Sequence, residues 1–526
     1  MRTVNLYAGF AAMAASRPDA PALIAGGGSG PLRRMTFGEL DRRAAALAGR
    51  LASHGLGAGA TVLVMHPVSI DLYVLLLAIV RLGASAMFLD PTAGAEHIER
   101  CCARRTPDAY AAGWRGQLLR WRHRPLRAIS LTIAIGPWPF AHLRVDGSMA
   151  RAPSAGTAPI APVAPDAPLL VTFTSGTTGV PKAAVRTHRL LRAQHERLVE
   201  ELRLAAGETD LVTLPIFVLA NLASGVTSVL PDADLRSIRT IASEPLRRQL
   251  AAHRPRRIIA SPTLLDRLIG DGPPIDCLRS VFTGGAPVFL ADLDRFANAF
   301  PAARIVNLYG STESEPIAAQ VHNELDESDR AAMRNGGGTC VGRPVPGAEV
   351  RVLPDRFGEA LAPATDEAFK GSVLEAGETG EIMVSGEHVL PGYLDGIGDA
   401  ETKWRVGDRV WHRTGDAGRF DARGRLWLLG RCSARLRRDG RVWYPLPLEA
   451  ALRERLGVRV AVFERDGAFI VAAAHTDAHA IRAALADPEL RDAETIPPID
   501  HIEILPELPF DSRHGAKIDL RRLGVR

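Results

Sequence analysis

The stretch TFTSGTTGVPKAAVRTH, residues 172–188, decides the fold. An apolar strand, LLVTFT, runs straight into SGTTGVPK, a turn with two glycines, several hydroxyl side chains and one lysine. Backbone N–H groups in such a turn, joined by Ser and Thr hydroxyls, form a nest for phosphate oxygens. Thr174, Ser175, Gly176, Thr177, Thr178 and Gly179 are therefore candidate phosphate-binding residues, and Lys182 supplies a compact cation beside them. The spacing differs from the nucleotide loop GxxxxGK[ST]: Lys182 follows Pro181 rather than a glycine and precedes Ala183. That argues against an ordinary P-loop ATPase or kinase.

Outward from this turn, RRIIASP, SVFTGGAP and RIVNLYGSTES repeat the pattern of an apolar strand ending in a small-residue turn. In open α/β sheets, ligands sit outside the carboxyl ends of the strands, so these turns predict one shared cleft. Upstream, a helix over Phe37 to His54, a strand over Thr61 to Met65, a helix over Ser69 to Leu82 and a strand over Ser85 to Leu89 predict crossover units and a mostly parallel sheet. The segment GSMARAPSAGTAPIAPVAPDAP, residues 147–168, breaks the alternation and reads as a flexible surface connection. From about Gly342 the texture is β-rich, with GAEVRVL, GEIMVSG and GRLWLLG. After Gly430 come a helix (Leu446 to Arg455), strands VRVAVFE and FIVAAA, a helix near Ala478 to Ala486 and the strand IEILP. The expected architecture is α/β: a large domain over 1–430, with mostly parallel sheets flanked by helices and a β-rich subdomain, then a small α+β domain over 431–526.

With 526 residues, 46% of them hydrophobic and 23% charged, the chain can bury a large core. The net charge of +5 does not identify nucleic acid as a partner, because the arginines are scattered among acids and clusters such as RLRRDGR are short and lack aromatics. Five cysteines with no CxxC spacing argue against a disulfide framework or a zinc site and fit a reducing cytosol. The most apolar run, LYVLLLAIV, is far shorter than the roughly 20 residues of a membrane span and reads as a buried helix. The N-terminus has only a weak small-and-apolar stretch, and no signal peptide is expected.

Lysine occurs only at 182, 370, 403 and 517, so nearly all of the 64 basic residues are arginine. Each lysine in such a chain asks for a reason, and Lys517 stands in DSRHGAKIDL close to the end.

TSGTTGVPK resembles the signature of the AMP-forming adenylating enzymes, the superfamily of acyl-CoA synthetases, nonribosomal peptide adenylation domains and luciferases. The likeness extends from about Ala12 to Leu523 and implies ATP and Mg²⁺ as cofactors, a small-molecule carboxylic acid as substrate, and in some branches CoA or a carrier protein as acceptor. NLYGSTESEP resembles the family motif in which an aromatic residue flanks adenine, a threonine approaches the α-phosphate and a glutamate holds Mg²⁺. The resemblance gives those roles to Tyr309, Thr312 and Glu313, with Gly310 and Ser311 between them. The chemistry is sensible, since Glu313 offers a hard oxygen ligand. TGGAP resembles the loop against the adenine and implies contacts from Gly284, Gly285, Ala286 and Pro287. RTGDAGRFDARGRLWLLGR resembles the stretch whose aspartate accepts from both ribose hydroxyls, implying that role for Asp416 and a second contact for Arg431. HGAKID resembles the C-terminal turn whose lysine contacts the carboxylate and the α-phosphate, which implies a catalytic role for Lys517 beside Lys182 of TSGTTGVPK and Thr312 and Glu313 of NLYGSTESEP.

Two positions depart from the family pattern. Ser433 stands where the hinge aspartate is usual, although Gly440 and Glu449 keep their expected distances, and Val218 replaces the histidine of the Leu-Pro-x-Phe-His element. The stretch LPIFVLANLASGVTSVLPDAD around Val218, with LLRWRHRPLRAISLTIAIG and RHGAKI, resembles the β-lactone synthetases of bacterial olefin biosynthesis most. The resemblance implies a mobile small domain and activation of a fatty or 3-hydroxy fatty acid through an acyl-adenylate. The second step is either closure to a β-lactone or transfer to the thiol of CoA or a carrier. An inactive nucleotide-binding scaffold and an unrelated nucleotide hydrolase are the other readings, separated from adenylation by whether pyrophosphate, phosphate or neither is released.

Overall fold

In the computed structural model the described residues are 4–89, 94–136, 141–145, 156–174, 180–270, 272–510 and 517–525. They form two compact units, Met1–Asp232 with Leu390–Asp399, and Ala233–Val389 with Ala400–Arg526.

The first unit contains a seven-stranded sheet. Its spatial order is Leu143–Val145, Leu131–Ile135, Ala109–Ala112, Thr61–Met65, Ser85–Phe88, Pro168–Thr174 and Lys182–Thr187. Every neighbouring pair is parallel except the last. The strands Thr61–Met65 and Leu131–Ile135 are buried at every residue, as a parallel sheet covered on both faces requires. The helices follow from local chemistry. Thr36 and Glu39 close a capping box on Phe37–Ser53, and the Ser69 hydroxyl accepts from the Leu72 N–H at the start of Ile70–Arg81. That second helix is buried from Ile70 and from Leu72 through Val80, so LYVLLLAIV is core and spans nothing. Among the described residues no helix is long and apolar enough to cross a membrane.

The segment expected to be a flexible connection has no helix or strand over 156–164, yet it is tied down. Arg81 Nε donates to the Ala158 carbonyl at 2.6 Å, the Ala161 N–H donates to the Arg81 carbonyl at 2.8 Å, and Val163 is buried.

In the second unit Arg257–Ala260, Ser280–Gly284 and Arg304–Ser311 run parallel. At Arg304–Ser311 the sheet changes character, pairing antiparallel with Ser314–Val321. It continues antiparallel through Thr339–Pro344, Leu426–Arg431, Arg409–Phe420, Gly380–Ser385 and Glu349–Leu353. This is the β-rich region expected from Gly342 onward. Past Arg431 the chain forms the hairpin Leu436–Arg438/Arg441–Trp443, the helix Pro445–Leu456 and a three-stranded sheet. In that sheet Val460–Arg465 is antiparallel and His501–Ile504 parallel to Ala468–Ala473. Pro445 begins its helix at a position where the missing N–H costs nothing, and Gly457 ends it with φ of 69°. Leu452, Val462, Phe469 and Ile481 pack as one core beneath.

Candidate active site

At the point where parallel strands give way to antiparallel ones lies a cavity of about 300 Å³, entirely within the second unit. Gly285, Ala286 and Pro287, following the strand Ser280–Gly284, form one side. Gly285 turns the chain there with φ of 78°, in the left-handed region that favours glycine. Gly284 itself is paired tightly with the neighbouring strand, where a Cβ would come within 2.3 Å of the Leu308 carbonyl oxygen.

Tyr309 and Gly310, near the end of Arg304–Ser311, line the floor. The Tyr309 hydroxyl donates to Asp416 Oδ2 at 2.8 Å, across 107 residues of sequence. Burial, reinforced by the Asp416 charge, drives the phenol pKa well above its ordinary value, so the hydroxyl remains a donor at any working pH. Asp416 faces Arg431 across the antiparallel pair, with Arg431 Nε 3.2 Å from Asp416 Oδ1. Each carboxylate oxygen thus holds one partner and keeps acceptor capacity for a ligand. Behind Asp416, Arg413 and Glu381 form an ion pair at 2.6 Å, both side chains 1% exposed. Arg413 also donates to the Glu359 and Arg356 carbonyls, whereas both of its contacts to Glu381 fall on Oε2 and leave the buried Oε1 without a hydrogen-bond partner among the described residues.

Lys517 lines the same cavity, exposed, next to the bridge between Ile518 and Phe510. Its predecessors Asp511–Ala516 in the glycine-containing turn lie outside the described residues. One lysine of the scarce four therefore shares a cavity with the tyrosine, the aspartate and the arginine singled out by motif. Ser311, Thr312 and Glu313 form the turn just past Gly310 and do not line the cavity. The Glu313 N–H donates to Ser311 Oγ at 3.2 Å.

The other scarce cation belongs to the first unit. Lys182 begins the strand Lys182–Thr187 opposite Thr174. It is 9% exposed, and its ammonium lies 5.8 Å from the Tyr393 ring centroid. Its stem runs over Gly398, where a Cβ would come within 2.6 Å of Lys182 Cδ and Cε. Ser175, Gly176, Thr177, Thr178 and Gly179 lie outside the described residues.

Some neighbours were given no site role by the sequence reading. His412, four residues before Asp416, pairs with Lys403 on the adjacent strand, and both are buried. Its Nδ1–H donates to the Thr402 carbonyl at 3.1 Å. Burial first, then the Lys403 ammonium, holds the imidazole well below its usual pKa, with the Glu313 carboxylate pulling the other way. The scarcity of lysine was a signal for Lys403 that the motifs did not use. Glu449 and Arg459 line the cavity, from the chain past Arg431, whereas His412 and Lys403 do not. Glu449 Oε1 accepts from the Val462 N–H at 3.1 Å, and burial pushes its carboxyl up to about 7.

Among the described residues no cluster of three His, Cys, Asp or Glu side chains could cage a metal. Glu313 as a lone carboxylate suits Mg²⁺, which keeps several waters and is held chiefly by substrate phosphates.

The AMP-binding enzyme family matches residues 10–394 of the chain. The olefin β-lactone synthetase of Stenotrophomonas maltophilia is 31% identical, with 100% of this chain and 98% of that protein covered. The olefin β-lactone synthetase of Xanthomonas campestris pv. campestris is 33% identical over 82% of this chain and 79% of its own length. In fold, the chain superimposes on the anthranilate CoA ligase AuaEII in complex with anthranoyl-AMP, with a TM-score of 0.83 at 19% identity and coverage of 100% and 97%. The chain belongs to the AMP-binding enzyme family, whose ATP-dependent, AMP-forming ligases and synthetases activate a carboxylic acid as its acyl-adenylate.

Proposed function

We propose that the chain activates a 3-hydroxy acid with an apolar chain using ATP and Mg²⁺, releases pyrophosphate, and closes the acyl-adenylate to a β-lactone. The observation that carries this reading is the likeness along the whole chain to an olefin β-lactone synthetase.

In this reading the Tyr309 ring lies against adenine, with Gly284, Gly285, Ala286 and Pro287 alongside. Asp416 accepts from the ribose hydroxyls, and Arg431 holds Asp416 while adding a contact of its own. Thr174, Ser175, Gly176, Thr177, Thr178, Gly179 and Lys182 bind phosphate oxygens. Gly310, Ser311 and Thr312 approach the α-phosphate, and Glu313 ligates Mg²⁺. Residues 431–526 act as a small mobile domain that brings Lys517 to the carboxylate and the α-phosphate.

The substrate carboxylate attacks the α-phosphorus in line and expels pyrophosphate. Positioning and charge neutralisation supply most of the acceleration. In the second step the 3-hydroxyl oxygen bonds to the adenylate carbonyl carbon, the carbonyl–AMP bond breaks, and the hydroxyl proton leaves to solvent. The nucleophile is three bonds from the carbonyl carbon in the same molecule, so no second substrate has to bind, and the site's part is to hold the hydroxyl in the near-attack geometry that the strained four-membered ring requires.

The competing reading, thioester formation with CoA or a carrier protein, draws support from the fold shared with CoA ligases. Incubation with ATP, Mg²⁺ and a 2-alkyl-3-hydroxy acid, beside the same acid lacking the hydroxyl, separates them by mass analysis. The lactone reading expects AMP and lactone from the hydroxy acid without any thiol. Thioester from both acids on addition of CoA, with no lactone in its absence, assigns the ligase instead.

A further inference from the structure

One segment departs from the scattered arrangement of arginines. From Ala109 to Val145, 37 residues hold six arginines and no aspartate or glutamate. The whole chain carries +5, so everything outside this segment sums to −1. The segment alone carries +6, with no acid to offset it.

Within the segment lies the helix Trp114–Arg122. Its inner side is fixed: buried Gln117 donates to the Ala112 and Ile133 carbonyls, and the Gly116 carbonyl accepts from the Tyr110 hydroxyl at 2.7 Å. Its outer side carries Trp114, Leu118 and Trp121, which are 52%, 47% and 68% exposed. The spacing i, i+4, i+7 puts all three on one stripe of the helix. Around them Arg122, Arg124 and Arg127 are exposed and have no carboxylate partner among the described residues. The guanidinium of Arg115 stacks 5.1 Å from the Trp114 ring centroid.

We infer that this helix docks the enzyme on an anionic lipid bilayer, with the two indoles and Leu118 entering the headgroup boundary and the arginines meeting the lipid phosphates. Tryptophan suits that boundary because it joins an apolar body to a polar N–H. An apolar ridge edged with cations is the pattern of interfacial helices. A basic segment with no acid in its own sequence fits a sheet of uniform negative charge better than a protein face of mixed sign.

The test is co-sedimentation of the full chain with vesicles of phosphatidylcholine alone and with vesicles containing about half phosphatidylglycerol. Binding to the second kind only, weakened by salt and accompanied by a blue shift of tryptophan emission, is expected. The W114A/W121A variant should bind about tenfold less, and R122E/R124E/R127E should lose the preference for anionic lipid. Both variants should keep the parent's pyrophosphate exchange with a short soluble acid. Absence of parent binding to anionic vesicles, or equal binding by the tryptophan variant, overturns the proposal. So does tighter binding to single-stranded DNA than to lipid, or a dimer of the parent that the tryptophan variant abolishes.

Discussion

The two walls of the cavity are built on opposite principles. The strand wall is fixed before any ligand arrives: Tyr309 is bonded to Asp416, Asp416 is paired with Arg431, and the buried Arg413–Glu381 pair stands behind them. The wall from the C-terminal stretch presents Lys517, exposed beside the bridge between Ile518 and Phe510. A preorganised wall can bind, and in the proposed function Lys517 arrives and leaves with the small domain at each reaction step. Substitutions on the two walls should therefore affect different measurements.

The largest effect is expected behind the strand wall. Arg413→Ala leaves Glu381 as an unpaired buried carboxylate, which should cost about 3–5 kcal/mol of stability. Denaturant unfolding reads this directly, and an unchanged midpoint would show that the pair does not hold the strand. On the other wall, Lys517→Ala should reduce pyrophosphate exchange by about 10²–10³-fold, leaving the unfolding curve and most of the ATP affinity intact. A proportional fall in affinity would erase the distinction between the walls.

Asp416→Ala should weaken ATP binding by about 1.5–3 kcal/mol, as expected when hydroxyls lose a charged acceptor. Calorimetry giving the parent's affinity would remove Asp416 from the ribose role.

The smallest effect concerns Glu449. Its carboxyl titrates at about 7 in the fold against 4.5 when exposed, so the folded state binds more protons between those values. Stability must then fall as pH rises through that window. Because the residue is partly open to the cavity, the loss should be only about 1–2 kcal/mol. Glu449→Gln, which keeps an acceptor for the Val462 N–H, should flatten the slope in melts taken at several pH values. An identical slope would move the origin of the pH dependence elsewhere.

Local signals read well along the chain. Thr61–Met65 is the strand its apolar run announced, and Ser69 caps the helix it was expected to open. The helix Ala478–Leu485, capped by Asp477, ends one residue short of its expected limit. Motif residues Tyr309, Asp416, Arg431 and Lys517 converge on one cavity despite their separation in sequence. What escaped depends on strand register. His412 meets Lys403 only because a hairpin pairs them, and no periodicity within either strand encodes that match. The tether at 156–164 escaped for a related reason: a proline- and alanine-rich composition says nothing of the distant backbone groups, such as those of Arg81, that can satisfy it.

The scarcity of lysine also has a practical side. Lys182 and Lys403 are buried, which leaves Lys370, at the end of the helix Asp366–Lys370, and Lys517 as the exposed side-chain amines. An acylating reagent specific for amines should therefore modify few sites on a protein otherwise crowded with unreactive guanidiniums, and only one of the exposed pair borders the cavity. Peptide mapping after such labelling, with and without nucleotide, turns Lys517 into a built-in reporter of cavity occupancy, with Lys370 as its internal standard.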